Sequence, residues 1–119
     1  DAPAGTYTTQ GELPETPENV HLHVGWFEES LPPFIAKHQE LIRYINVDCD
    51  LYSSTKTIFD LLASQIVPGT VIVFDEYFGN PSWREDEFRA FQEFVDEFDR
   101  EYEYLGASIL SKQAVVIMR

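Results

Sequence analysis

The chain has 119 residues, 44% of them hydrophobic, which suits at most one domain with a single modest core. Its net charge is −13, from 21 acids against 8 bases, and the bases are scattered rather than gathered into a stripe, which excludes nucleic acid as a partner. No apolar run approaches the ~18 residues of a membrane span, no basic leader precedes an apolar segment, and a lone Cys49 excludes an internal disulfide, so no membrane role and a cytoplasmic location are expected.

Residues 1–19 carry Pro3, Gly5, Gly11, Pro14 and Pro17 among polar residues, which predicts an extended arm ahead of a domain over 20–119. Val20, Leu22 and Val24 alternate with His21 and His23, the period-2 mark of a strand with one buried face. From Gly25 to Phe34 the chain reads as a loop or a short helical turn, because Pro32-Pro33 blocks regular structure.

Arg43 to Val47 is a strand whose low content of charge suggests burial on both faces, as in a parallel sheet. Ser53 or Ser54 can cap a helix carrying Ile58, Leu61, Leu62 and Ile66 at helical spacing, and Pro68-Gly69 stops it. A second strand follows over Thr70 to Tyr77, completing a β-α-β unit, which is right-handed and parallel in nearly all known cases.

Beyond the turn at Gly79-Asn80-Pro81, Ser82 and Glu85 have capping-box spacing and predict a helix start. That helix places Phe88, Phe91, Val95 and Phe98 on one face, with Phe94 beside them, and Glu85, Glu93, Asp96, Glu97 and Asp99 on the other. Tyr102–Leu110 and Gln113–Met118 are separated so briefly that they pair only as an antiparallel hairpin.

The chemistry gathers at the strand tips. Alternation along a strand puts Asp48 and Asp50 on one side and Cys49 on the other, and ligands of open parallel sheets bind beyond the carboxyl ends of the strands. Asp75 and Glu76 end the next strand, ~4.8 Å away, so carboxylates from both tips can reach one hard cation such as Mg²⁺ or Ca²⁺. Without a cation they repel, and at least one carboxyl should hold its proton more tightly. The competing reading is that single acids at strand ends cap the next helix or face water. His21 and His23 lack a third nitrogen or sulfur ligand nearby, so a half-exposed structural role is favoured, and Cys49 reads as buried and inert.

Asp48-Cys49-Asp50-Leu51-Tyr52-Ser53-Ser54-Thr55, Pro68-Gly69 and Val73-Phe74-Asp75-Glu76-Tyr77 resemble the class I S-adenosylmethionine-dependent methyltransferases of the macrocin O-methyltransferase type. Gly25-Trp26-Phe27-Glu28-Glu29-Ser30-Leu31-Pro32 also resembles the loop after that family's third strand. The resemblance implies an α/β fold with a partial Rossmann-like sheet, and O-methyl transfer from S-adenosylmethionine to a small-molecule hydroxyl acceptor. It maps Asp48, Asp75 and Glu76 onto ligands of a divalent metal, usually Mg²⁺, and Asp50 onto the general base, while Trp26 and Phe27 have two readings of equal weight, sandwiching the cofactor's adenine or packing beneath the sheet. Glu76 departs from the family's usual Asp and reaches one methylene further.

The family's glycine-rich turn after the first strand, and the acid after the second that binds the cofactor ribose, have no counterpart. With Asp1 at its start and Met118 as its one methionine, the chain resembles the C-terminal half of such an enzyme, inactive alone. The edge of residues 42–47 would then be bare, which predicts a homodimer or an arrangement in which a swapped N-terminal segment covers the gap. Two further readings stand beside this one. The first is a non-catalytic dimeric binding or assembly module on the same fold. The second is a phosphohydrolase or glycosyltransferase use of D-x-D, which Tyr52 and the motif's distance from the N-terminus disfavour.

Overall fold

The computed structural model describes residues 11–119, and residues 1–10 of the expected arm, with Pro3 and Gly5, lie outside the described residues. Residues 11–19 are exposed and, apart from turns, without regular structure. The elements are α1 (Phe27–Lys37), β1 (Ile42–Val47), α2 (Tyr52–Leu62), β2 (Ile66–Phe74), a 3-10 turn (Trp83–Glu85), α3 (Glu87–Glu97), β3 (Tyr102–Ser108) and β4 (Gln113–Met118). They form one four-stranded sheet in the order β1-β2-β4-β3, with β1 and β2 parallel and the other neighbours antiparallel. This is the expected β-α-β unit followed by the expected C-terminal hairpin.

Aromatic rings make the core. Phe59 of α2 stacks on Phe94 of α3, with centroids 4.9 Å apart, and contacts Phe91 at 5.6 Å and Phe74 of β2 at 6.1 Å. All four side chains are fully buried. Such rings combine a large apolar area with preferred offset or tilted geometries, which fixes how the two helices sit on the sheet.

Several local expectations are corrected. Residues 20–24 are not a strand: they run exposed, with Val24 74% accessible, because among the described residues no strand lies alongside to take their backbone hydrogen bonds. Pro32 and Pro33 do not block structure but lie inside α1. Phe27, Leu31 and Ile35, four residues apart, pack on the core, and that burial outweighs the two missing N–H donors.

β1 is not buried on both faces, for only Val47 is fully covered, since β1 is an edge strand. The residue at the N-cap of α2 is Leu51 rather than a serine, and no side chain caps that end. Ile66 and Pro68-Gly69 belong to β2, not to the end of α2. They occupy an irregularity in which Ile42 pairs with Ile66 but Tyr44 pairs with Val71. Thr70 closes it by donating to the Ile42 carbonyl at 2.6 Å and accepting from the Val67 N–H at 3.1 Å. A proline is tolerated in such a bulge because no ladder bond is asked of it.

The capping box at Ser82 and Glu85 is also absent. The Ser82 hydroxyl bonds Asp86 Oδ2 at 2.9 Å instead, and α3 starts only at Glu87.

Candidate active site

Parallel pairing of Val47 with Phe74 brings the C-terminal ends of β1 and β2 to one rim, where the Asp75 N–H donates to the Val47 carbonyl at 3.0 Å. Asp48, Asp50, Asp75 and Glu76 follow those ends, as the sequence predicts. The reason given for grouping Asp48 with Asp50 does not hold: β1 stops at Val47, and strand alternation does not reach residues 48–50. Asp50 instead takes a left-handed backbone with φ of 57°, a region that Asp enters more readily than most residues.

Of the four rim acids, Asp50 is the one whose affinity for a proton is raised. Partial burial raises it above its ordinary value, and the Glu76, Asp48, Asp75 and Asp86 carboxylates push further in the same direction. Asp75 is engaged on its other side, where Gln113 Nε2 of β4 donates to Oδ1 at 2.6 Å. Glu76 lies 3.6 Å from Lys112 Nζ and 3.5 Å from Asn80 Nδ2.

The donor set Asp48, Asp75 and Glu76 is all oxygen, which suits a hard cation. Among the described residues, however, no three His, Cys, Asp or Glu side chains are grouped closely enough to hold a metal ion. Two of the three expected ligands are occupied by protein partners instead, so as arranged they do not fit a ready-made cation site.

Beneath the rim is a residue that the sequence reading passed over. Glu87 is fully buried at the start of α3, and its carboxylate accepts from the Glu76 N–H at 3.3 Å and from the backbone N–H groups of Cys49 and Asp50. One side chain thus ties the loop after β1 to the loop after β2. Burial still dominates and pushes the Glu87 carboxyl up to about 7, with Oε1 buried and without a partner among the described residues. The signal was available: Glu87, Ala90, Phe91 and Phe94 share one helical stripe, so an acid stands on the apolar face.

Trp26 and Phe27 part company. Trp26, at the N-cap of α1, is 75% exposed, whereas Phe27 packs against the core. His21 and His23 line a cavity of about 370 Å³ with Ser30, Leu31 and Phe34, where His23 meets the Phe34 ring edge-on at 5.2 Å. Cys49 is half-buried, and burial raises its thiol, in keeping with an inert cysteine.

No helix among the described residues is long and apolar enough to cross a membrane. In solved structures the chain is similar to the apo structure of CalS11, a TDP-rhamnose 3'-O-methyltransferase of calicheamicin biosynthesis. The TM-score is 0.60 with 24% identity, over 78% of this chain and 39% of that one. A second structure of CalS11, described as calicheamicin methyltransferase, matches with the same TM-score of 0.60 and 24% identity, over 78% of this chain and 35% of that one. The likeness is one of fold, and the chain spans well under half the length of these relatives. No curated protein sequence matches it. The model of the macrocin O-methyltransferase (TylF) family matches residues 13–101, about three quarters of the chain. The chain therefore belongs to the macrocin O-methyltransferase family.

Proposed function

We propose that these residues form the acceptor-side half of an S-adenosylmethionine-dependent O-methyltransferase acting on a small hydroxylated molecule, with Asp50 as the general base. The observation that carries this reading is the carboxylate rim at the ends of two parallel strands, pinned from below by Glu87, in a chain of this family. The cofactor, when bound, supplies an electrophilic methyl group. Its sulfur would keep the electron pair of the bond to that methyl group, and Asp50 would take the proton of the acceptor hydroxyl. A carboxyl raised by burial and by four like charges is a stronger base than an exposed one. No step is routed through a cation, because Asp75 and Glu76 are engaged by Gln113, Lys112 and Asn80.

The glycine-rich turn that holds this cofactor in the family has no counterpart in the sequence, so the chain alone is expected to be inactive. The test is a chimera in which the segment of CalS11 that superposes on this chain is replaced by it. Calorimetric binding of S-adenosylmethionine certifies that the chimera has assembled. Labelled methyl is then expected to move to a hydroxylated acceptor, and an assembled chimera that transfers none removes the reading. Saturable cofactor binding by the unmodified chain would contradict the claim that it lacks the cofactor half.

A second reading, a non-catalytic dimeric module, is favoured by the outer edge of β1. Among the described residues no strand covers it, and Tyr44 on it is 60% exposed. Association through that edge, or through a swapped N-terminal segment, is compatible with either function.

A further inference from the structure

A second cavity, of about 410 Å³, opens where the segment after β2 and the start of α3 face the β3–β4 hairpin. Its walls are the rings of Tyr77, Phe78, Trp83, Phe88 and Tyr104. Edge-to-face contacts hold these rings against one another: Trp83 to Phe88 at 4.9 Å, Tyr77 to Phe88 at 5.4 Å, and Tyr77 to Tyr104 at 6.0 Å. The cavity exists because two small residues, Ala107 and Ala114, face each other as cross-strand partners where larger ones would fill the space.

Among the described residues no charged side chain lines this cavity. The wall hydroxyls are already satisfied, with Tyr77 and Tyr104 bonded to each other at 2.8 Å and Gln92 Nε2 at 3.4 Å from the Tyr77 oxygen. The cavity also adjoins the carboxylate rim on two sides. Tyr77 follows Glu76 directly, and Ala114 follows Gln113, whose amide holds Asp75. The Phe78 N–H reaches the Lys112 carbonyl at 3.4 Å, closing the segment after β2 against the hairpin turn. On that turn Ile109 and Leu110 are 86% and 98% exposed, so apolar surface continues outward.

We propose that this cavity holds the acceptor's body, an uncharged, flat, apolar ring system that carries its hydroxyl at the edge facing the rim. The inference rests on the methyltransferase reading and names the class of its acceptor. Aromatic walls that carry no charged side chain favour a ring system over a charged or strongly polar chain, and the Trp83 indole N–H is left to meet an acceptor on it. The rim of carboxylates, in a chain of net charge −13, disfavours an anion.

The test titrates naphthol into the chain and follows the indole N–H signals of its two tryptophans by NMR. Trp83 is expected to shift and Trp26 to stay still. Ala107→Leu, at an exposed strand position, should plug the cavity and weaken binding at least ~tenfold. Naphthoate, the same ring with a carboxylate, should bind at least ~tenfold more weakly to the unmodified chain, a comparison that needs no variant to fold. A shift confined to Trp26, equal binding of naphthol and naphthoate, or a folded Ala107→Leu chain with undiminished affinity would each overturn the proposal. Because this readout contains no methyl transfer, a Trp83 shift beside an inactive chimera keeps the cavity and removes the enzyme reading. An active chimera without a Trp83 shift does the reverse.

Discussion

Glu87 shows how one side chain can organise a site it does not line. Its carboxylate gathers N–H groups from Cys49, Asp50 and Glu76, yet burial outweighs those donors and leaves the folded-state value at about 7 against an ordinary 4.5. A raised carboxyl stabilises the fold where it is protonated. That contribution is complete below about pH 4.5 and is lost as pH rises to about 7, where a charge must be buried. The loss is on the order of 1–3 kcal/mol. Denaturant melts across this window should show it, and Glu87→Gln, which cannot ionise, should flatten the profile. An unchanged slope in the variant would mean that other groups carry the pH dependence. Asp50 lies in the same field of carboxylates, and its left-handed backbone has no support from strand geometry, so its placement depends on the loop that Glu87 ties down.

At the scale of elements, period and burial governed what was legible in the sequence. The hairpin, the β-α-β order and the aromatic face of α3 were readable because their apolar positions recur at the spacing of the element they form. What was not readable depends on neighbours. Residues 20–24 have strand periodicity but no partner strand among the described residues, Pro32 and Pro33 sit in a helix sustained by Phe27, Leu31 and Ile35, and Pro68-Gly69 is absorbed by a bulge that Thr70 closes. The four acids of the rim could be placed from sequence because strand ends are marked by where the apolar run stops. Glu87 was harder, since its partners are backbone groups contributed by two distant loops. The core predicts its own test. Phe59→Ala removes a ring packed on Phe74, Phe91 and Phe94 and should cost about 3–5 kcal/mol in chemical denaturation. A loss below ~1 kcal/mol would mean that the stack does not bear on the fold.

Among the described residues the sheet ends on an uncovered β1, and the charge of −13 sets the conditions under which that edge can associate. Two like-charged copies repel most at low ionic strength, so light scattering should find a mass nearer twice 13.7 kDa as salt is raised. A monomer at every salt concentration would remove the dimer proposal. On the proposed reading, Asp50 as base, the buried Glu87 beneath it and the apolar acceptor site share one end of two parallel strands, and methyl transfer turns on the base. The most direct measurement is therefore the methyl-transfer rate of the assembled chimera with Asp50 and with Asp50→Asn, at matched cofactor affinity. The account predicts that the variant is slower by about a hundred- to ten-thousand-fold. An equal rate in the two proteins would contradict it.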